Sequence, residues 1–314
     1  MSLNIVKASE PIEIKNIVLT EYSVPGLGKT SLAYTADEPL MLAFDAGCYR
    51  AAIRRGDTVQ ITAWGDVEGI NAADLTAYKT VIIDTGGRAG DLLKVKLIAD
   101  DPKNRGTYGG MSGMGWGNMA NRLNRLVNLI RSEGKDLIIV MHCDEKGDGD
   151  DIKERIDAQG AWKNEIYKVS DAMCRIRIRS NGVRYLDFDP SESGFGKNPA
   201  ALPKMDFPNP EKDPTFLAGV IAQIKASINR ITADQAEYIK EKELEQVTWK
   251  QLFVEAGTLE TWNKLPLGLA KERPGTPYAN AVKAEAAKRG YKFNTKSGLY
   301  EAAVAEPETA KAGA

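Results

Sequence analysis

The chain has 314 residues, of which 43% are hydrophobic and 27% are charged, and its formal net charge is -1. This composition predicts a globular protein with one large domain and a smaller one, without whole-molecule attraction to nucleic acid. No apolar run approaches the ~20 residues of a membrane helix, and the first residues lack a signal-peptide pattern, so we expect no membrane partner and a cytoplasmic location. The three cysteines lie far apart, which argues against a disulfide framework and a zinc site.

Apolar runs in the first half of the chain predict five strands, at residues 14–20, 40–45, 59–64, 80–84 and 136–142. Nearly continuous apolar runs of this kind are typical of strands that are buried on both faces of a parallel sheet. Three of the strands end in polar residues, namely Asp45, Asp84 and His142.

Helical patterns alternate with these strands. Residues 29–36 have helical character, and apolar residues at three- and four-residue spacing in 119–130, followed by Gly134, predict a crossover helix. The alternation predicts an α/β fold with a doubly wound, mostly parallel sheet, in which ligands bind at the carboxyl ends of the strands. Asp45, Asp84 and His142 should therefore converge.

The pattern changes after residue 172. Residues 173–188 alternate with period two around the turn Ser180-Asn181-Gly182, which predicts an antiparallel hairpin added to the sheet. A Pro-rich stretch follows, and a mainly helical remainder begins with an amphipathic helix at 216–228; Thr232 and Gln235 have capping-box spacing for the next helix, and Thr276-Pro277 begins a further one. We expect a core domain at 1–205, a small helical region at 206–302 and a disordered tail at 303–314.

The turn after the first predicted strand matches a phosphate-binding loop, G-x-x-x-x-G-K-[ST], with Ser23 in the first glycine position. Glycines let backbone N–H groups approach phosphates, a lysine reaches the outer phosphates, and the hydroxyl after it ligates Mg²⁺. The predicted nucleotide-binding residues are Val24, Pro25, Gly26, Leu27, Gly28, Lys29, Thr30 and Ser31, and Thr30 is also a predicted metal ligand.

The polar strand ends supply the remaining candidates for catalysis beside Lys29. Asp84 would hold Mg²⁺ through water, although a strand-end cap is the alternative. Thr85 follows it, so the Asp-Glu pair of many related ATPases is absent, and Asp45 is the best candidate to orient the attacking water. His142, the single histidine, suits a sensor of the γ-phosphate, and a structural histidine is the alternative.

With these motifs the chain resembles the RecA-like P-loop ATPases of bacteriophages, often labelled phage nucleotide-binding or AAA-family proteins, some of which are single-strand annealing recombinases. The resemblance covers about residues 12 to 205. It rests on Ser-Val-Pro-Gly-Leu-Gly-Lys-Thr-Ser, Phe44-Asp45-Ala46-Gly47, Val-Ile-Ile-Asp-Thr, the strand that ends in His142, and Gly194-Phe195-Gly196-Lys197-Asn198. Ser23 and Gly47 depart from the family pattern, which leaves the catalytic base open.

The resemblance implies ATP and Mg²⁺ as cofactors, and the cytoplasm of a bacterial host as location. It also implies a homo-oligomer, as a ring or filament, in which Lys197 reaches the ATP of the neighbouring subunit; an ordinary surface lysine in a Gly-rich loop is the alternative. Single-stranded DNA is the implied partner, with a phage single-strand-binding protein as a further one. Loops after the strands near the site would bind that DNA, through Tyr108, Trp116, Lys153 and Arg155.

A second candidate DNA surface is basic. Residues 261–298 contain eight basic and two acidic residues with interleaved aromatics, and Lys288, Arg289 and Lys292 are the candidate contacts. A solvated helical face above a small aromatic core would give the same pattern.

Three functions are compatible with the sequence. The first is an ATP-hydrolysing protein that acts on single-stranded DNA in phage recombination or replication, by annealing or strand exchange. The second is a helicase or helicase loader on the same core. The third is a nucleotide-gated assembly protein without significant turnover, which the altered first glycine and the open identity of the base would fit.

Overall fold

The computed structural model describes residues 5–51, 55–146, 153–192, 194–265 and 276–302. Their contacts define two compact units. The larger, here called the core unit, is Ile12–Thr232, and the smaller, the C-terminal unit, combines the described residues before Ile12 with those after Thr232.

A nine-stranded sheet forms the centre of the core unit. Its strands in chain order are β1 (Val18–Ser23), β2 (Pro39–Ala43), β3 (Asp57–Gln60), β4 (Thr80–Asp84), β5 (Asp136–Lys146), β6 (Lys153–Ile156), β7 (Ala172–Ile178), β8 (Arg184–Asp187) and β9 (Met205–Asp206). The spatial order is β3-β2-β4-β5-β1-β7-β8-β9, with β6 paired to β5. Pairs from β3 to β7 are parallel, whereas β7 with β8, β8 with β9 and β5 with β6 are antiparallel.

Helices cover both faces of this sheet. They are α1 (Lys29–Ala33), α2 (Trp64–Glu68), α3 (Ala72–Leu75), α4 (Gly86–Asp100), α5 (Gly113–Ser132), α6 (Gly160–Val169) and the first half of α7 (Phe216–Glu255), with 3-10 turns at Ala46–Arg50 and Pro102–Asn104. Leu93, Leu123 and Trp162 bring α4, α5 and α6 into one buried cluster. Leu32 and Leu217 bring α1 and α7 into a second cluster, which contains residues of the opposite face of the sheet. The predicted doubly wound, mostly parallel α/β fold is confirmed.

The predicted strands differ from the observed ones at their ends. Strand β1 begins later than residue 14 and ends at Ser23, and β3 ends at Gln60, because Trp64 begins α2. The predicted hairpin is present as β7 and β8, with Gly182 in the left-handed region at φ +81°. Burial follows the period-two pattern only in part, since Arg175 is buried and Ile178 is 55% exposed.

The predicted helix break at Thr232 is wrong. Helix α7 continues unbroken for 40 residues. The Thr232 hydroxyl lies 2.9 Å from the carbonyl oxygens of Ile12 and Asn229 instead of capping a new helix. The core unit includes α7 up to this residue, whereas the predicted division at 205 leaves that part of the helix outside the core domain.

The C-terminal unit has its own small core. The second half of α7 packs with α8 (Leu259–Asn263), α9 (Pro277–Lys288) and a hairpin of β10 (Tyr291–Asn294) and β11 (Leu299–Ala302), through Phe253, Trp262, Tyr278, Val282 and Tyr300. The helix predicted from Thr276-Pro277 is present, with the Thr276 side chain accepting a hydrogen bond from the N–H of Ala279. The predicted disordered tail, 303–314, lies outside the described residues. None of the described helices is long and apolar enough to span a bilayer.

The packing of α7 on the sheet predicts different costs for two truncations on this helix. Ile224 is fully buried in the core unit, so Ile224→Ala should lower the free energy of unfolding by about 2–5 kcal/mol. Leu244 is 67% exposed on the same helix, so Leu244→Ala should change it by less than about 0.5 kcal/mol. Equal effects of both variants in urea unfolding would contradict this assignment of the two halves of α7.

Candidate nucleotide-binding site

Residues 24–28 form the turn between β1 and α1. Gly26 and Gly28 have φ angles of +86° and +87°, a region that glycine enters without strain. The ammonium group of Lys29 donates to the carbonyl oxygens of Ser23 at 3.0 Å and of Val24 at 3.1 Å. The loop is therefore closed around its own lysine.

Ser23 replaces the first glycine of the motif without distorting the loop. It is the last residue of β1 and has the extended backbone of a strand, which any residue adopts. Its hydroxyl accepts from Lys29 at 3.2 Å and donates to the carbonyl oxygen of Val24 at 2.9 Å. The serine thus adds an acceptor for the lysine.

A cavity of about 500 Å³ opens over the loop. Six of the predicted nucleotide-binding residues line it, namely Pro25, Gly26, Gly28, Lys29, Thr30 and Ser31, together with Asp45, Asp84 and His142 from the strand ends. Val24 and Leu27 line a separate cavity with Arg175 and Tyr185. The strand ends meet because parallel pairing places Ser23 opposite His142 and Asp84 opposite Ala43.

Thr30 and Asp84 form the predicted metal pair. The Thr30 hydroxyl donates to the Asp84 carboxylate at 2.8 Å, and Asp84 is only 2% exposed. Burial raises the pKa of Asp84 to about 6, while the hydrogen bond from Thr30 and the charge of Lys29 oppose the rise. A buried carboxylate beside a hydroxyl offers the hard oxygen ligands that Mg²⁺ prefers, and its negative charge favours a cation. These residues therefore fit Mg²⁺.

Asp45 lies at the end of β2, half-buried, on the wall of the same cavity. One carboxylate oxygen accepts a hydrogen bond from the N–H of Gly47 and caps the short 3-10 helix that follows. This oxygen has a structural role, and the second carboxylate oxygen is the one that chemistry could use.

His142 is half-buried on β5 beside Asp45 and Lys29. Its Nδ1 is buried without a hydrogen-bond partner among the described residues. Burial, and next the positive charge of Lys29, lower the pKa of His142 below its usual range. The ring is therefore neutral at pH 7 and has one donor and one acceptor nitrogen. Asp45 and His142 also line a second cavity of about 360 Å³, with Arg88 and Trp116.

The structure does not bring Lys197 to this cavity. Its ammonium donates to the carbonyl oxygens of Tyr167 at 2.6 Å and Ser170 at 2.7 Å, both in its own chain. The backbone of Lys197 also pairs with that of Met173 at the start of β7. A reach into a neighbouring subunit would break these bonds, so the geometry favours a structural role.

The first candidate DNA surface is divided. Tyr108 is 100% exposed, and Lys153 is exposed as well. Arg155 stacks over the Phe195 ring with its guanidinium 4.4 Å from the centroid. Trp116, by contrast, packs against the buried cluster and closely covers Gly160, where an added Cβ would lie 2.8 Å from the ring. One face of Trp116 is therefore closed to bases.

In the basic C-terminal region, the described residues 261–265 and 276–298 form mostly a small core with charged residues around it. Arg289 donates to the carbonyl oxygens of Ala256 and Phe253 and stacks over Trp262, which has 0% exposure. Arg289 is thus a structural residue rather than a DNA contact. Lys288 and Lys292 are exposed, and Lys288 pairs with Glu285 at 3.5 Å. The alternative interpretation of the sequence, a solvated helical face above a small aromatic core, describes these residues better than a DNA-binding surface.

Two residues near the loop escaped the sequence reasoning. Arg184, the first residue of β8, lines the cavity and donates to the carbonyl oxygen of Leu27 at 3.2 Å. Glu21, in β1, is fully buried, and neither carboxyl oxygen has a hydrogen-bond partner in the described part of the chain. Burial raises the pKa of Glu21 well above its usual range, and Lys29 opposes the rise. The period-two pattern predicted strand β8, but it did not distinguish Arg184 from the other arginines of the hairpin.

The α/β fold and this loop define a P-loop protein. A family model described as an AAA domain, AAA_24, matches residues 15–200, and the chain belongs to that family. No curated protein matches the chain. Among solved structures, it is similar to a KaiC-like protein from Pyrococcus horikoshii OT3, at 12% identity and a TM-score of 0.35, over 54% of this chain and 76% of that one.

The burial of Asp84 predicts a pH-dependent stability. Because its pKa is raised in the folded state, the carboxyl group favours folding below the unfolded pKa near 4 and loses that contribution as pH rises through about 6. Asp84→Asn should therefore raise the free energy of unfolding of the metal-free protein at pH 7.5 by up to about 3 kcal/mol. The gain should vanish near pH 4.

The matched control is Asp91→Asn, which changes an exposed aspartate on α4. It should leave the difference between pH 4 and pH 7.5 unchanged, as measured by urea unfolding. Equal pH profiles of wild type and Asp84→Asn would show that Asp84 does not carry this penalty.

Proposed function

We propose that this chain binds ATP with Mg²⁺ and hydrolyses it. One observation carries the proposal: Lys29, Thr30 and Asp84 line a single cavity with two further titratable side chains, Asp45 and His142. Phosphoryl transfer needs this combination of a cation, metal ligands and a group that orients water, held in a fixed arrangement. Membership of the AAA domain family supports the same ligand.

Each of these cavity residues has a separate proposed role. In the proposed complex Lys29 exchanges its loop carbonyls for phosphate oxygens and neutralises charge on the transferred group. Thr30 and Asp84 hold Mg²⁺, which when bound neutralises phosphate charge and fixes the phosphate geometry. The second carboxylate oxygen of Asp45 orients the attacking water, and the neutral His142 ring hydrogen-bonds at the γ-phosphate end of the site.

We further propose that the partner is single-stranded DNA, in phage recombination or replication of the annealing or strand-exchange type, bound by a ring or filament of this chain. Aromatic side chains and cations at the surface support this: Tyr108 and Lys153 are exposed, and Phe195, on which Arg155 stacks, is 43% exposed. Aromatic faces and nearby cations bind single strands without reading their sequence. Trp116 and Arg289 are not among the proposed DNA contacts, because Trp116 packs against the buried cluster and Arg289 donates to carbonyl oxygens of its own chain.

A nucleotide-gated assembly protein without turnover is the second candidate. The observation that favours it is the hydrogen bond from Gly47 to Asp45, which occupies one oxygen of the candidate base. Thr85, which follows Asp84, is no alternative base, since its hydroxyl lacks a carboxylate's basicity. In this case the same cavity would bind ATP tightly and release it unchanged.

Steady-state ATP hydrolysis with Mg²⁺, measured with and without single-stranded DNA, tests the first proposal. Wild type should turn over and be stimulated by the DNA, and Lys29→Ala should lose about a hundredfold or more of the rate. Lys240→Ala, on an exposed lysine of α7, should behave as wild type. Tight ATP binding without turnover in both conditions would overturn hydrolysis and favour the assembly protein.

The DNA proposal has its own test. Tyr108→Ala should weaken binding of a labelled single strand about tenfold, since stacking on one base contributes about 1–3 kcal/mol. Tyr238→Ala, on a tyrosine that is 60% exposed in the C-terminal unit, is the matched control and should bind as wild type. If the wild type binds no single strand at physiological salt, the partner is wrong while ATP hydrolysis can still stand.

A further inference from the structure

The hairpin of β7 and β8 carries four arginines, and one of them differs from the rest. Three pair with carboxylates: Arg175 with Asp187 at 3.0 Å, Arg177 with Glu154 at 2.7 Å and Arg179 with Asp206 at 2.9 Å. Arg184 contacts no carboxylate anywhere in the described part of the chain. No carboxylate of the described residues therefore balances its charge.

This arginine lies at the edge of the sheet where the loop is. It pairs with Ile178 at the end of β7, and β8 is antiparallel, so the start of β8 falls at the carboxyl edge of the parallel strands. Arg184 lines the same cavity as Lys29 and Thr30. An uncompensated guanidinium on the wall of a phosphate-binding cavity is suited to an anion.

Two contacts fix the guanidinium over the loop. It stacks on the Phe207 ring, 4.2 Å from the centroid, and its Nη1 donates to the carbonyl oxygen of Leu27 at 3.2 Å. It also lies so close to Gly28 that an added Cβ there would be 2.5 Å from Nη1. The group has five N–H donors, of which the Leu27 bond uses one. The remaining donors are held in place beside the backbone that contacts phosphates.

The sheet order gives the side of the nucleotide that Arg184 meets. Asp84 is on β4, two strands from β1 in one direction, and Arg184 is on β8, two strands from β1 in the other. Asp45 and His142, the groups at the γ-phosphate end, are on the Asp84 side of β1 as well. A residue on the opposite side of β1 lies away from the γ-phosphate end of the proposed site.

We propose that Arg184 is a nucleotide-binding residue of its own subunit, whose guanidinium binds the phosphates that ADP and ATP have in common. The inference rests on the proposed nucleotide function and deepens it, because it adds a second cation to Lys29. That cation is supplied within the chain and does not require assembly. It binds product and substrate alike, so it sets affinity rather than the rate of phosphoryl transfer.

Calorimetric titration of the full chain with ADP and with ATP, both with Mg²⁺, tests the inference. Arg184→Gln keeps a donor for Leu27 but removes the charge, and it should weaken ADP and ATP about tenfold each, as expected for loss of a charged hydrogen bond. Arg184→Lys keeps the charge and should recover part of that loss. A merely structural role would not be rescued by charge, because lysine lacks the planar group that stacks on Phe207.

Arg179→Gln is the matched control, since Arg179 also stacks on an aromatic ring, that of Tyr185, but does not line the cavity. It should bind both nucleotides as wild type. Wild-type affinity in Arg184→Gln, or a loss for ATP alone, would overturn the inference. If the wild type binds neither ADP nor ATP, the proposed function fails. If the wild type binds both, Lys29→Ala binds neither and Arg184→Gln binds as tightly as wild type, only the inference on Arg184 fails.

Discussion

Strand β1 is held between β5 and β7 by parallel hydrogen-bond ladders on both edges, and the parallel ladders of this sheet align the strand ends at the nucleotide site. The ladder to β5 sets Ser23, the start of the loop, opposite His142, and the ladder between β4 and β2 sets Asp84 opposite Ala43. Register is strongly specified in a sheet whose two faces are buried, since a slip of one residue turns every side chain to the other face. The loop and Asp84 therefore keep their relation without help from flexible segments.

The strands and the loop could be predicted because each depends on a short local pattern of residues. Strands covered on both faces require apolar residues at successive positions, so the strands show as runs, and a carboxylate or imidazole just beyond a run marks the ligand edge. For this reason the sequence predicted that Asp45, Asp84 and His142 lie at the same edge of the sheet. The loop was readable because its backbone needs glycine at Gly26 and Gly28, and its chemistry needs the lysine beside them.

The remaining features depend on contacts that no local pattern encodes. Arg184 and Leu27 are 157 positions apart, and before folding nothing separates this arginine from the paired ones of the same hairpin. The basic and aromatic pattern of residues 261–298 is shared by a binding surface and by a small core, and only the burial of Trp262 decides between them. The sequence did not predict that α7 continues through Thr232, for a related reason: the Thr232 hydroxyl binds the carbonyl oxygen of Ile12, which is far away in sequence.

The charge balance beneath the loop has a consequence for how long the protein survives. Two buried acids, Glu21 and Asp84, share one buried ammonium group, that of Lys29. A ligand that binds only the folded chain and brings positive charge to Asp84 draws the population away from opened forms by mass action. Proteases cut opened forms, so degradation slows as that ligand becomes abundant. Shortage of the ligand would then lower the amount of the protein as well as its occupancy.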